Sequence, residues 1–318
     1  MAFVLAVHLS AQFAPSTAPP FGNPAASPKL TVKSGSIDDV NAVGRRRIGR
    51  RGIGNWYSAA TEARMGKLYA AEIEKNVPLV NDPVVNEFVS RMGQRLVSNS
   101  DCKASFTIRV IDSEEINAFA LPGGYLYVTA GLIRNAGDEA ELAGVMAHEI
   151  AHVCAHHATR GMTRMNYAQL GAMPLVMAGG WAGVGVPAAF MQYSQEFEVQ
   201  ADYLGVQYMY RAGYDPQAYI RYFERLQALQ QRGQVRSGSV IKTFGSHPSI
   251  PDRIQRTREE IARILPAQGY LALNTEELDT VKARLQSKAD VGSGATTTPN
   301  SVSNGASKPR QTQTEDSR

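Results

Sequence analysis

The sequence predicts a mostly helical α+β domain that contains one small sheet. Apolar side chains recur at helical spacing in residues 58–76, 84–98 and 139–157. Between the second and third of these stretches, residues 105–112 alternate between apolar and polar side chains, and a Pro-Gly-Gly sequence at 122–124 marks a tight turn. Long helical stretches around one short group of strands define this fold class.

Composition divides the 318 residues into one ordered domain and flanking segments, since 43% hydrophobic and 19% charged residues suit a single globular domain with tails. We expect the domain at 55–288. Residues 21–54 are rich in Pro, Ala, Ser, Gly and Arg and predict a disordered linker, and residues 289–318 predict a disordered tail. The net charge is +4, but no long run interleaves basic and aromatic residues, so nucleic acid is not an expected partner.

The first twenty residues resemble a weak secretory signal. An apolar stretch at 3–9 is followed by small and polar residues at 10–14, although the basic n-region of a signal peptide is missing. We therefore expect an exported protein, in the periplasm or cell envelope, with a cytoplasmic location as the alternative. The two cysteines, Cys102 and Cys154, can form a disulfide in an oxidising compartment, or Cys154 can be a small buried hydrophobe.

The first elements follow from local signals. The tripeptide Asn81-Asp82-Pro83 is typical of a helix start, with a capping residue and a proline in the first turn. The strand at 105–112 precedes a hairpin-like unit around the Pro-Gly-Gly turn, and a proline within such a pattern points to a sheet edge. An exposed edge can bind an extended peptide by strand addition, or the unit can be a plain structural hairpin. The candidate substrate-binding residues on it are Asn117, Ala118, Phe119 and Ala120.

The third helical stretch carries the strongest chemical signal. Asp138 can cap it, and it contains His148-Glu149-Ile150-Ala151-His152, an HExxH pattern. Residues four apart share a helix face, so His148 and His152 can bind one metal ion while Glu149 reaches a water on that ion. His156 is four residues beyond His152 and is expected on the same face, as a supporting group or as a cation near the helix end.

A second helix offers the remaining ligand that a catalytic zinc needs. Glu198 and Asp202 are four residues apart, so one carboxylate can bind zinc while the other accepts the N–H of a ligating histidine. Glu196 lies on another face and is the weaker candidate. The uncharged stretch 168–192 is interrupted by glycine and proline, which favours a buried helix and a flap over the cleft; a loop that touches the membrane is the alternative.

Several of these motifs occur in the order found in the HtpX/CAAX-prenyl-protease-type zinc metalloendopeptidases, and the chain most resembles their soluble, exported, BepA-like branch. The resemblance spans residues 57–265 and rests on the HExxH pattern, the sequence at 117–124, the acidic helix at 198–202, and Ser246-His247-Pro248 followed by Arg253.

The resemblance implies a gluzincin-like zincin domain whose small sheet borders the active-site cleft with its edge strand. It implies one Zn²⁺ per chain, bound by His148, His152 and Glu198, with Glu149 as the general base. Asp202 matches a supporting aspartate, and His247 matches a histidine near the metal that steadies the oxyanion or occupies the open zinc position at rest. The chain departs from the family at Gln195 and Gln200, where Arg and Glu are common.

The expected activity is hydrolysis of peptide bonds by a zinc-bound water that Glu149 activates. The expected partners are protein or peptide substrates, especially misfolded or unassembled envelope proteins, with peripheral membrane contact through 168–192 as an open alternative. Arg253 either pairs with a site carboxylate or caps its own helix. The rival hypothesis is a chaperone or assembly factor with a latched zinc site of low activity.

Overall fold

The computed structural model describes residues 31–171, 193–232, 250–267, 269 and 275–293. Within these residues the fold consists of α-helices around one three-stranded sheet, as the sequence predicts. The helices are α1 (Ala59–Asn76), α2 (Pro83–Ser98), α3 (Ala130–Asn135), α4 (Glu139–Cys154), α5 (His157–Gly171), α6 (Gln195–Ala212), α7 (Gln217–Gln231), α8 (Ile250–Ile264) and α9 (Thr275–Ser293). The strands are β1 (Thr107–Ile111), β2 (Ala118–Leu121) and β3 (Tyr125–Thr129).

Helices α1, α2, α3 and α4 begin at side-chain caps that satisfy backbone N–H groups of the first turn. Ser58 accepts a hydrogen bond from the Thr61 N–H at the start of α1, and Asp138 accepts one from the Glu141 N–H at the start of α4. Asp82 caps α2 ahead of Pro83, as the local sequence predicts.

The sheet has the order β1-β3-β2, with β3 in the centre. Strand β3 pairs in parallel with β1 and antiparallel with β2, so the predicted hairpin is confirmed. Its turn contains Gly123 and Gly124 at φ of 79° and 97°, a backbone conformation that suits glycine. Strand β2 is therefore an edge strand in the part of the chain that the structure describes.

Helix α4 lies at the centre of the domain, as the burial of all sixteen of its residues indicates. It packs against α2, α6, α7 and β2. Contact with α6 is close at Gly205, where an added Cβ would lie only 3.3 Å from the Cα and backbone N of His148. This glycine lets the backbones of the two helices approach each other at the level of the HExxH motif.

The segment at 31–54, predicted to be a disordered linker, instead packs against the domain. Val40 and Val43 belong to the main hydrophobic core. The buried Arg46 guanidinium pairs with Asp101 at 2.5 Å and donates to the Gln207 Oε1 at 2.8 Å. The composition is low in apolar residues, but a few buried contacts and one paired charge are sufficient to order the segment. Helix α9 extends to Ser293, so residues 289–293 are helical and the predicted tail begins later than expected. Residues 1–30 and 294–318 lie outside the described residues, so for them the predictions of a signal and a tail stay predictions.

The HExxH helix is shorter than predicted, since α4 ends at Cys154 rather than at His157. His156 follows at a φ of 55°, and α5 begins at the next residue. A disulfide joins Cys154 to Cys102 with 4.5 Å between the Cα atoms, which decides the alternative that the sequence left open.

None of the described helices has a stretch long and apolar enough to cross a lipid bilayer. Most of the uncharged stretch, 172–192, lies outside the described residues.

Two helical glycines provide a matched test of this packing. An added Cβ at Gly66 would lie 1.9 Å from the backbone oxygen of Pro122 in the β2–β3 turn, whereas at Gly161 the nearest atom is 3.9 Å away. Replacing a helical glycine by alanine ordinarily stabilises a helix by about 1 kcal/mol. We expect Gly66→Ala to lower the free energy of unfolding by about 1–3 kcal/mol because the turn must move. Gly161→Ala should be neutral or stabilising. Urea denaturation measures both, and equal effects would contradict the close contact between α1 and the turn.

Candidate metal centre

Three predicted ligands converge between α4 and α6. The Nε2 atoms of His148 and His152 lie 3.0 Å apart. The Glu198 carboxylate lies across from them, with Oε2 3.4 Å from His148 Nε2 and Oε1 3.4 Å from His152 Nε2. All three side chains are buried, and their ligand atoms lie within 4.8 Å of one another. The helix spacing fixes the two histidines, and the α4–α6 contact brings the carboxylate to them.

This donor set fits a small divalent cation. Two imidazole nitrogens and one carboxylate are a common ligand set of catalytic zinc. Donor atoms that share a tetrahedral ion at about 2.1 Å are separated by roughly 3.4 Å, close to the distances between Glu198 and the two histidines. A buried group of lone pairs at this separation needs a cation or protons between them to offset their repulsion.

The outer ring nitrogen of His148 is held by an ionised carboxylate. His148 Nδ1 lies 2.9 Å from Asp202 Oδ1. Arg253 donates to both oxygens of Asp202, at 2.9 and 2.6 Å, and Tyr219 donates its hydroxyl to Oδ1 at 2.9 Å. Burial by itself would raise the pKa of Asp202, but the charge of Arg253 and the hydrogen bond to His148 hold that pKa well below its usual value. Asp202 therefore accepts Nδ1–H and leaves His148 Nε2 for a metal.

Of the two alternatives for Arg253, the ion pair with a site carboxylate is the one the structure shows. The Arg253 side chain is 4% exposed, and its Nη1 atom also lies 3.6 Å from Glu198 Oε2. One cation thus faces two carboxylates at the centre. This arrangement lowers the cost of burying the acidic groups.

His152 has a different outer partner, which the sequence analysis missed. Its Nδ1 lies 2.9 Å from Nδ1 of His157, a fully buried side chain. His157 Nε2 lies 2.9 Å from Gln200 Oε1, which also accepts from Arg160 at 2.6 Å. Periodicity could not reveal His157, because a spacing of five residues does not share a helix face with His152 and the helix ends between them.

His156 does not join the metal group. Its Nδ1 contacts the buried Glu62 carboxylate at 2.7 and 2.9 Å, and Thr159 donates to the same carboxylate at 2.6 Å. The expectation that His156 shares the face of His152 was wrong because α4 ends two residues before it. Glu196 is also apart from the centre, since it is exposed and pairs with Arg164 at 3.0 Å.

Glu149 is buried beside the two histidines on α4. Tyr193 also lies next to the metal ligands: its ring stacks on His152 with 3.9 Å between the ring centroids. Burial, and then the negative charges of Glu149 and Glu198, raise the pKa of Tyr193 well above its ordinary value. The tyrosine hydroxyl therefore keeps its proton near the two carboxylates and can act as a hydrogen-bond donor.

A small pocket connects the edge strand with this centre. Ala120, Leu121 and Pro122 line it on one side, and His152 and Tyr193 line it on another. The edge strand thus borders the cleft, as the sequence predicts.

The four candidate substrate residues do not all face this pocket. Ala118 is buried in the core, Phe119 stacks on Tyr127, and the Asn117 N–H donates to the Thr129 hydroxyl. His247 and its neighbours lie outside the described residues.

Comparisons with known proteins agree with this geometry. A family model described as "Peptidase family M48" matches residues 83–261. The chain is 32% identical over 247 residues to the "Beta-barrel assembly-enhancing protease" of Escherichia coli K12, covering 73% of this chain and 49% of the relative. It is 36% identical over 217 residues to a putative protein of that name from Vibrio cholerae, covering 63% of this chain and 44% of the relative.

A more distant similarity reaches a eukaryotic protein. The chain is 31% identical over 180 residues to the "Mitochondrial metalloendopeptidase OMA1" of Schizosaccharomyces pombe, covering 54% of this chain and 52% of the relative. The chain spans about half the length of the curated relatives it matches.

A partly buried carboxyl group that interacts with Asp202 yields a pH-dependent prediction. Burial, and then the charge of Asp202, raise the pKa of Glu260 on α8 to about 8 from an unfolded value of 4.5. The folded protein therefore holds this proton more tightly, so the stabilising contribution is complete below pH 4.5 and is lost as pH rises through 8.

We expect Glu260→Gln to remove this loss of folding stability at high pH. At pH 8.5 the variant should exceed the parent in free energy of unfolding by on the order of 2 kcal/mol, with a smaller difference at pH 5. Urea titrations at both pH values measure the difference. Glu259→Gln, at the neighbouring exposed carboxyl group, is the control. A constant difference between Glu260→Gln and the parent at the two pH values would contradict the raised pKa.

Proposed function

Since the chain belongs to peptidase family M48, we propose that it is a zinc metalloendopeptidase that hydrolyses peptide bonds within protein substrates. The observation that carries this proposal is the convergence of His148, His152 and Glu198 with Glu149 beside them. Two nitrogen ligands and one oxygen ligand leave one tetrahedral position for solvent or substrate. A structural zinc site would fill all four positions, so this set favours catalysis.

The proposed mechanism assigns separate tasks to the buried side chains. When bound, zinc supplies a water of lowered pKa and polarises the scissile carbonyl group. Glu149 accepts the proton of the attacking water and passes it to the leaving amine. Asp202 and Arg253 keep the His148 ring oriented, since they hold its Nδ1 side. Tyr193, whose hydroxyl stays protonated, and His247 are the proposed donors to the developing oxyanion.

Strand β2 is the proposed binding edge for an extended substrate. Its backbone forms one of the two edges of the described sheet, and its residue Ala120 lines the pocket that His152 also lines. Strand addition recognises backbone groups rather than a defined side-chain sequence. Such recognition suits unfolded or unassembled chains, which present extended segments.

We place the protein in an oxidising compartment and propose misfolded or unassembled envelope proteins as its substrates. The Cys102–Cys154 disulfide supports export, because such bonds persist mainly outside reducing compartments. The names of the bacterial relatives connect them with β-barrel assembly, which supports a protein substrate of this kind. The zinc stoichiometry proposed is one ion per chain.

The rival function is a chaperone or assembly factor with a latched site of low activity. The relatives' name contains assembly as well as proteolysis, which favours keeping this alternative. The features on which it rests, His247 and the segment 168–192, lie wholly or largely outside the described residues. Cleavage assays separate the two functions.

We expect Glu149→Gln to abolish proteolysis while keeping the metal. Loss of a general base costs about 10²–10⁴-fold in rate, whereas the three metal ligands remain intact. Casein and reduced, unfolded protein substrates, each with and without chelator, measure activity, and elemental analysis measures zinc. Glu196→Gln, at an exposed carboxylate of α6, is the control and should cleave as the parent does.

Cleavage by Glu149→Gln at the parent's rate would refute the proposed mechanism. A parent that binds zinc and unfolded chains but cuts none of them, with no effect of chelator, would support the chaperone instead.

Glu198→Gln should weaken zinc binding, because the carboxylate ligand loses its charge.

A further inference from the structure

We propose that Arg160, Gln200 and His157 form a hydrogen-bond relay that decides which ring nitrogen of His152 is free to bind the metal. In this relay His157 is a positioning residue that acts through His152. The proposal deepens the proposed zinc site and rests on its assignment of His152 as a ligand. The direction of the relay follows from which atoms can only donate.

The relay starts at Arg160, whose guanidinium nitrogens carry N–H donors and no acceptor. Arg160 Nη1 lies 2.6 Å from the Gln200 side-chain atom Oε1, so that atom must be the amide oxygen rather than the nitrogen. The same oxygen lies 2.9 Å from His157 Nε2. An oxygen can only accept here, so Nε2 of His157 carries the hydrogen.

The second step concerns the contact between the two imidazoles. His157 is fully buried and shares its Gln200 acceptor with the Arg160 guanidinium, an environment that disfavours a second cation. A neutral His157 with hydrogen on Nε2 has a lone pair on Nδ1. That Nδ1 lies 2.9 Å from Nδ1 of His152, so His152 must donate its Nδ1–H. The lone pair of His152 is then on Nε2, which is the atom that faces His148 and Glu198. The reverse direction would place hydrogen on His152 Nε2 and block the ligand.

Packing keeps water from replacing the relay. His157 is 0% exposed, and its ring stacks on Phe197 with 4.5 Å between centroids. Arg160 also lies over the Phe197 ring, with its guanidinium carbon 4.7 Å from the centroid. His157 and Arg160 therefore pack against one aromatic side chain of α6. Because the His157 ring is fully buried, loss of the Gln200 acceptor would leave its Nε2–H without bulk solvent beside it.

The two ligating histidines are thus oriented by chemically different partners. His148 donates to a carboxylate, whereas His152 donates to a neutral imidazole that ends on an amide. A core histidine that only fills space would not need this polarity. The amide of Gln200 is the part of the relay that can be removed without changing the size of the side chain appreciably.

The experiment compares Gln200→Met, which removes the acceptor, with Gln200→Glu, which keeps an acceptor for both donors. Gln195→Met, at the exposed first residue of the same helix, is the matched control. Zinc affinity is measured by competition with a chromophoric chelator, and folding by circular dichroism. We expect Gln200→Met to bind zinc roughly 10–100-fold more weakly. Gln200→Glu and Gln195→Met should stay within about 3-fold of the parent, since orienting partners are what tune the ligand.

Nitrogen-15 spectra of the histidine rings give a second readout that does not depend on activity. In zinc-free and zinc-loaded parent protein, we expect His157 to be neutral with its hydrogen on Nε2, and zinc-loaded His152 to carry hydrogen on Nδ1. A His157 hydrogen on Nδ1, or unchanged zinc affinity in folded Gln200→Met, would overturn the relay. The spectra of the parent decide the question even if Gln200→Met does not fold. Failure of the parent to bind zinc would count against the proposed function, while the His157 tautomer would still be measured separately.

Discussion

The close contact between α4 and α6 is the constraint on which the candidate site depends. Gly205 has no side chain, so α6 can approach the backbone of His148 closely. A Cβ at position 205 would crowd that backbone. At that separation Glu198 reaches both histidines, and Asp202, one turn further along α6, reaches the outer nitrogen of His148. A wider separation would leave the two ligand sets too far apart for one ion.

Other parts of the fold hold this pair of helices from both sides. The disulfide attaches the last residue of α4 to the loop after α2. In that loop Asp101 binds Arg46 and the hydroxyl of Tyr208, and Arg46 also contacts Gln207. Since Gln207 belongs to α6, Arg46 of the segment at 31–54 contacts that helix directly, and it is linked to α4 through the Asp101 loop and its disulfide. Its composition resembles a linker, but its position makes it part of the scaffold.

The charges at the centre are balanced by buried partners rather than by solvent. Arg253 faces Asp202 and Glu198, and its pKa is raised well above normal by these acidic neighbours even though burial opposes its charge. The His152 side has a neutral partner, because burial lowers the pKa of His157 to about 3. One ligand is thus oriented by an ionised pair and the other by an uncharged ring, which limits the number of buried charges.

The sequence by itself determined the elements and the local part of the site. Helical spacing places His148 and His152 on one face of α4, capping residues fix the helix starts, and the motifs identify the family and its zincin-like metallopeptidase fold. Only the tertiary structure decided that the helix ends at Cys154, that His157 rather than His156 supports His152, and that residues 31–54 are ordered. The ordering of residues 31–54 and the disulfide at the end of α4 depend on contacts between residues distant in sequence, Arg46 with Asp101 and Cys102 with Cys154. The His157 contact is close in sequence, but it depends on α4 ending between His152 and His157. Periodicity and composition report only on near neighbours along the chain, so they cannot contain that information.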